Sequence, residues 1–550
     1  MMRTVTLVFF LAAAGIFFTS IGGWDLKNPD EPRYAQVARE MMDTGQFFLP
    51  HINGDIYPDK PPLFFWMIAG ASLPFGDVTA FSARFPAAFF GFCLILLTYF
   101  FARKVFDNLT ALLAAVLLFS IEGFFKAALS VHFDSILAFF ITASLFCFYC
   151  GYTEKKNRLY FLLSWVCMGL AVSTKGPVGL AIPLVSIIAY LLWNKDFTTL
   201  KRLSIVTGLL IVTAIVACWL VPACSAGGED YINNIVLKQT FGRIVKSYAH
   251  QKPFYYYALK LPCHMLPWSL FIPGACYYFW QKRESIPEIR FPLIWFVASF
   301  VFLSMVSCKR GLYLLPLYPA ATMLLAKFWR DLMCMETNGD STRQQKLILL
   351  PALVMFGLLA LAGIAVHCVP IHTLILPDIS QQSRFFLVTA SWMICFFGLA
   401  GMVVFFSRVR ARLAFALLSC TMITLAVCAV FCIYPYMDKT KSAKIFAQRI
   451  NAIVGPEDSL VASFKPELFN YYLKRYPIKR IENPAVHNRV EQVEPCYLLL
   501  LEEHYLRAPE NFKKNTIILD RETVGHRTFY LAASRALLAN RSSIELRLIL

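Results

Sequence analysis

Charge is scarce in this chain. Asp, Glu, Lys and Arg make up 16% of 550 residues, against about 25% in an ordinary soluble domain, and that shortage excludes a water-soluble globule. Paired cysteine spacing is missing too. The 16 Cys lie mostly inside apolar runs, as in "FCFYC" at 146–150, where a thiol behaves as a small apolar group. Cys224, Cys263, Cys308, Cys368 and Cys496, expected on the outer side, show no paired spacing either, so no disulfide framework is implied. No internal repeat and no low-complexity linker appears. Nor is there a nucleic-acid recognition motif. The net charge of +18, from 52 basic against 34 acidic residues, collects in short loops between apolar runs, as the positive-inside bias of a membrane protein requires, and no nucleic-acid partner is expected.

What the chain has in quantity is grease: 58% hydrophobic residues and 50 Phe. Runs of about 20 apolar residues, enough to cross a ~30 Å hydrocarbon core, recur along the first four fifths, and about thirteen can be counted. The fold class expected is a polytopic α-helical membrane protein. The opening run, "VTLVFFLAAAGIFF" after Arg3, lacks a clean small-residue cleavage pattern and reads as a retained span. Lys and Arg crowd alternate loops, at Arg103-Lys104, Lys155-Lys156-Arg158, Lys195 with Lys201-Arg202, Lys282-Arg283, Lys327-Arg330 with Arg343-Lys346, and Arg408-Arg410-Arg412. Those loops are then cytoplasmic. With an odd number of spans the N-terminus is cytoplasmic too, and the outer face receives the loop 24–79, a second loop at 223–257 and everything after Ile433.

Hydropathy falls near Tyr434, which separates a membrane domain, 1–434, from an outer domain, 435–550. There short apolar runs alternate with polar helical stretches: "SLVASF" at 459–464, "PELFNYYLKRY" at 466–476, "CYLLLL" at 496–501, "NTIILD" at 515–520 and "RTFYLAA" at 527–533. This pattern predicts a small α/β domain with few strands. "CYLLLL" is too short to span a bilayer and reads as a buried strand.

The polar insertion in the first outer loop, "KNPDEPRYAQVAREMMDTG" at 27–45, carries the strongest functional signal. Asp30 suits an N-cap, Pro32 a first helical turn and Gly45 a C-terminal stop. Tyr34, Val37, Ala38, Met41 and Met42 fall on one face, and Arg33, Gln36, Arg39, Glu40 and Asp43 on the other. The pattern predicts a helix lying along the membrane surface. Two readings of Asp30 and Glu31 stand side by side: a cap and a dipole partner worth about 1 kcal/mol, or carboxylates of a lipid-linked reaction. Their company favours the second. "NGDIYPDKPPLFFW" at 53–66 brings Asp55, Asp59 and Lys60, and other outer ends carry Asp134, Lys175, Arg243 with Lys246, and "CKRGLY" with Lys309, Arg310 and Tyr313. Cations there run against the positive-inside bias and suit an anionic, phosphate-bearing lipid.

An Asp-Glu pair in the first outer loop, a following Lys-Pro-Pro, many spans and an outer domain resemble the GT-C glycosyltransferases that use polyprenyl-phosphate sugars. "PDEPRYAQVAREMMDTGQFFLPHINGDIYPDKPPL" is similar in particular to the lipid A aminoarabinose transferases and their protein O-mannosyltransferase relatives. The likeness extends by pattern to "STKGP", "GRIVKSYAHQKPFYYY" and "SCKRGLYLLPLYP". One departure is Asp59 before Lys60-Pro61, where the bacterial members usually have Glu.

The resemblance implies an inverting transfer of a sugar from undecaprenyl (polyprenyl) phosphate to an acceptor at the outer face of the inner membrane, with the C-terminal domain in the periplasm. The sugar would be 4-amino-4-deoxy-L-arabinose or a similar one, and the acceptor lipid A, another glycolipid or a protein. Such a donor already carries its leaving group, so the enzyme must place the acceptor and stabilise charge on the departing phosphate. Lys60, Arg243 and Lys309, with Tyr313 as hydrogen-bond donor, are expected at the phosphate, Asp30 on the acceptor side, and Asp134 and Glu31 as further catalytic carboxylates. No metal and no cofactor is expected, since His250 and Asp59 lack ligand spacing. A polytopic transporter of lipid-linked sugars is the rival, but transporters carry inverted repeats and midplane charges, whereas the charges here lie at the outer ends of spans.

Overall fold

The computed structural model describes residues 2–27, 29–154, 158–232, 251–282, 286–337, 343–368, 381–407, 411–481 and 495–539. Among the described residues nine helices are long and apolar enough to cross a bilayer, ten if Asn108–Ser120 and Glu122–Ala128, bent by 71°, make one broken span. The expected runs around Val166 and Pro183 are the shorter helices Leu159–Lys175 and Val178–Trp193, of 17 and 16 residues. They rise about 26 and 24 Å, because Gly176, at φ 94°, turns the chain between them. The protein is a multi-pass membrane protein.

The chain divides into two compact units. The first, residues 1–21, 58–64 and 84–433, is mainly helical among its described residues. Small residues let its helices approach closely: a Cβ on Gly179 would stand only 2.6 Å from the backbone N of Val172. Arg84 is fully buried and donates to the Ile21 carbonyl at 2.9 Å. The feature that matters for chemistry follows helix Arg290–Met305. There the chain becomes extended, Cys308 forms an antiparallel bridge with Gln251, and a 3₁₀ turn over Gly311–Leu317 leads into helix Tyr318–Thr337.

The second unit joins residues 434–550 to residues 22–57 and 65–83 of the first loop. It contains a hairpin of β1 (His51–Ile52) and β2 (Asp55–Ile56). Its main sheet comprises β3 (Leu460–Ala462), β4 (Lys479–Arg480), β5 (Tyr497–Leu501), β6 (Thr516–Val524) and β7 (Arg527–Ser534), in the order β4-β3-β5-β7-β6. β3 is parallel to both β4 and β5, and β7 is antiparallel to β5 and β6. "CYLLLL" is the central strand, buried at every residue of β5. Tyr497, Leu499 and Leu501 pack with Phe446, Phe469 and Phe529 on one face, and Leu498 and Leu500 with Phe512 and Tyr530 on the other. Cover on both faces explains a continuous apolar run in place of alternation.

The polar insertion of the first loop is the helix Asp30–Thr44, closed by Gly45 at φ 70° with its N–H on the Met41 carbonyl at 3.1 Å. Two expectations for it are corrected. Asp30 is the first helical residue and not the cap; Pro29 holds the cap position and no side chain caps the helix. Nor is its polar face left to the membrane surface. Gln36, Arg39 and Glu40 are buried because the C-terminal part of the unit covers them: Arg39 donates to the Tyr471 carbonyl at 2.7 Å and pairs with Asp77 at 2.7 Å. Glu40 receives Gln36 and the N–H groups of Asn53 and Gly54 at 2.7–3.0 Å. An amphipathic pattern marks one face as apolar; it does not say that the other face meets water.

Candidate active site

The first unit holds an apolar cavity of about 550 Å³ whose polar lining includes Asp59, Lys60, Lys175, Cys308 and Tyr313. Asp59 and Lys60 reach its lining from a loop; Lys175 reaches it from a helix end, and a second helix end supplies the partner of that lysine. Asp134 opens helix Asp134–Thr153 and Lys175 closes helix Leu159–Lys175, so each charge complements the dipole of its own helix. These helices are consecutive and pack together, which brings the start of one to the end of the other. Asp134 and Lys175 form an ion pair, with side chains only 4% and 8% exposed. In an apolar interior such a pair persists only because each charge has its partner.

Aromatic rings complete the arrangement. The Lys175 ammonium lies 3.7 Å from the centroid of the Tyr313 ring and 5.1 Å from that of Phe133, and the Lys60 ammonium lies 5.2 Å from the same Phe133 ring. Phe133 thus gathers both lysines. Cys308 Sγ stands 3.9 Å from the Tyr313 hydroxyl. Two ammonium groups and a phenol beside an apolar wall can hold an anion that carries a long apolar tail.

Lys60, Tyr313 and, through Lys175, Asp134 are therefore brought together. Lys309 is not. It is 3% exposed and its ammonium donates to the Val306 carbonyl and, at 3.2 Å, to the Lys252 carbonyl; burial pushes it below its ordinary pKa. The physical reason is the extended backbone after Val306, along which neighbouring side chains point to opposite sides, so Cys308 faces the cavity and Lys309 faces away. Arg243, with Lys246 and His250, lies outside the described residues. Sequence reasoning missed Cys308 and Phe133; a period of two read along "SCKRG" separates Cys308 from Lys309.

Asp30 and Glu31 belong to the second unit, where they are 7% and 5% exposed. Asp30 pairs with Arg33, whose guanidinium also stands 3.7 Å from Glu467. Burial opposes the charge on Arg33, yet Tyr57, Tyr34, Asp30 and Glu467 together raise its pKa. Glu31 accepts the Lys27 N–H at 2.8 Å, and the Lys27 ammonium lies 4.5 Å from the Tyr434 ring centroid. Among the described residues no group of three His, Cys, Asp or Glu could hold a metal ion.

Residues 1–237 match the family described as dolichyl-phosphate-mannose-protein mannosyltransferase. A protein of Aquifex aeolicus, of unassigned function, is 32% identical over 352 residues, 63% of this chain and 67% of that one. The undecaprenyl phosphate-alpha-4-amino-4-deoxy-L-arabinose arabinosyl transferase 2 of Proteus mirabilis is 33% identical over 314 residues, 56% of each chain, so the match spans little more than half the length of that named relative. The crystal structure of ArnT from Cupriavidus metallidurans bound to undecaprenyl phosphate has the same fold, with a TM-score of 0.76 over 98% of this chain and 99% of that one at 20% identity. On this sequence and fold evidence, the chain belongs to the GT-C glycosyltransferase family that contains the aminoarabinose transferases and the protein mannosyltransferases.

Proposed function

We propose that this protein transfers a sugar, 4-amino-4-deoxy-L-arabinose or one like it, from undecaprenyl phosphate to lipid A at the outer face of the inner membrane. The observation that carries the reading is the meeting of Lys60, Lys175 and Tyr313 in a largely apolar cavity that Asp59 and Cys308 also line. A polyprenyl phosphate has this composition: one anionic group and a long hydrocarbon tail. The named relatives act on that carrier.

In the reaction the bond between the anomeric carbon and the phosphate oxygen breaks, and an acceptor oxygen attacks from the opposite face, which inverts the anomeric centre. The departing phosphate gains charge as the bond breaks, and Lys60, Arg243 and the Tyr313 hydroxyl stabilise it. Asp134 holds the Lys175 ammonium over the Tyr313 ring and balances its charge. Asp30 acts on the acceptor side, with Glu31 as a further catalytic carboxylate. A lipid A phosphate is already ionised near neutral pH and needs no proton removed, so Asp30 positions the sugar or steadies positive charge on it; toward a hydroxyl acceptor the same carboxylate would serve as general base.

Two measurements test the reading. Purified protein in lipid should move aminoarabinose from undecaprenyl phosphate to lipid A with inversion; transfer to a protein, or no transfer from any polyprenyl-phosphate sugar, overturns it. Titration of undecaprenyl phosphate should show Lys60→Ala binding about 10- to 100-fold more weakly, the loss expected for a charge-assisted hydrogen bond. A merely superficial lysine would lose its small attraction in high salt, so the comparison is made at low and high ionic strength. Equal affinity of the variant and the native protein would place the phosphate elsewhere.

A further inference from the structure

The segment Cys308–Tyr313 supplies two of the cavity's polar residues and is gripped from behind. Gln251 bridges Cys308, the Lys309 ammonium ties back to Lys252 and Val306, and the buried Tyr257 donates its hydroxyl to the Arg310 carbonyl at 3.3 Å. The segment is also packed against a residue that neither sequence motif nor mechanism uses, His264, the last residue of helix Tyr256–His264.

Two glycines make room for the His264 ring. A Cβ on Gly311 would overlap His264 Cε1 and stand 3.0 Å from its Nε2, and a Cβ on Gly123 would stand 3.1 Å from His264 Cβ and Nδ1 and 2.9 Å from the Tyr318 hydroxyl. His264 Nδ1 meets that hydroxyl at 3.2 Å. The ring is thus located by a glycine on each of two elements and a hydrogen bond from a third. Its charge state suits the slot: burial lowers its pKa most, Lys260 and Lys126 lower it further, and Glu122 offsets part of the effect.

We propose that His264 is a positioning residue for the donor cavity: its imidazole, seated against Gly311 and tied to Tyr318, sets the place of the Cys308–Tyr313 segment and so of the Tyr313 ring beside Lys175. The inference rests on the donor reading above for its functional consequence. Its mechanical part stands separately, because the fit of ring to glycine exists whatever the cavity binds.

The full-length protein in lipid nanodiscs tests both parts with Gly311→Ala, His264→Ala and the double variant. Each single change should speed amide exchange over residues 306–314 about tenfold, the first by forcing the segment off the ring and the second by removing its support. Each should also weaken undecaprenyl phosphate binding several-fold. In the His264→Ala background the added methyl has space, so Gly311→Ala should then change exchange and binding little. Tyr318→Phe, which keeps the ring and removes the hydroxyl, should move both readouts in the same direction by less, and it serves if His264→Ala does not fold. Multiplying effects of the two changes, or unaltered exchange in both His264→Ala and Tyr318→Phe, overturns the proposal. Coupled exchange in a native protein that binds no undecaprenyl phosphate overturns the donor reading and leaves the brace standing.

Discussion

At the scale of single residues, environment separates side chains that look alike in the sequence. Lys60, Lys175 and Lys309 are all lysines at ends of apolar runs. One stands over Phe133, one is paired with Asp134, and one is bonded to two backbone carbonyls. Lys309→Ala should accordingly act on stability, by about 1–3 kcal/mol for carbonyls left without their donor, and a thermal melt beside that of Lys60→Ala checks it. Asp30 offers the sharper test. Asp30→Asn removes the charge paired with Arg33 but keeps a hydrogen-bond acceptor beside it, and Glu467 remains 3.7 Å from the guanidinium, so the unit should stay folded at a cost of about 1–3 kcal/mol while turnover falls at least a hundredfold. Turnover near that of the native protein would return Asp30 to a purely structural role.

Among elements, the helix Asp30–Thr44 has the most consequential setting. Arg39 donates to Asp77 and to the carbonyls of Tyr471 and Val78, Tyr472 donates to the Leu26 carbonyl at 2.6 Å, and Tyr476 to Asp43 at 2.7 Å. The C-terminal residues are therefore the other half of the unit that carries Asp30 and Glu31. Removing Arg39 as Ala should destabilise this unit by about 1–3 kcal/mol, read as faster proteolysis in the 434–481 region. Acid should do the same. Burial would raise the pKa of Asp77, but hydrogen bonds from Lys474 and Arg39 and their charges win, and it is lowered. A carboxylate with a depressed folded-state pKa contributes stability above its unfolded value, about 3.9, and that contribution is lost as pH falls through the folded value. Below about pH 4 the unit should loosen, and Asp77→Asn should remove this part of the pH dependence from an acid titration followed by amide exchange.

For the whole molecule, the open quantity is orientation. The Lys and Arg alternation predicts Arg103, Lys156, Lys282 and Arg410 in the cytoplasm and residues 435–550 in the periplasm. A periplasmic reporter fused after residue 434 should be active, and a cysteine placed at exposed Arg103 should resist a membrane-impermeant reagent applied from outside. The opposite pattern would invert the topology and put the donor cavity on the wrong side for an outer-face reaction.

Hydropathy and local spacing were enough to place the protein in a bilayer, to read "CYLLLL" as a buried strand and to single out Asp30, Lys60, Asp134 and Tyr313, since each of those inferences needs only a window of neighbouring residues. Partnerships needed the tertiary structure. Asp134 finds Lys175 41 residues away and Arg39 finds the Tyr471 carbonyl 432 residues away, separations over which no local period carries information. The same limit hid the burial of the Asp30 helix's polar face and the removal of Lys309 from the cavity. In both cases a polar side chain could be satisfied by water, by a ligand or by distant backbone, and only packing decides among them, because a buried polar group must take whichever partner the fold brings within reach.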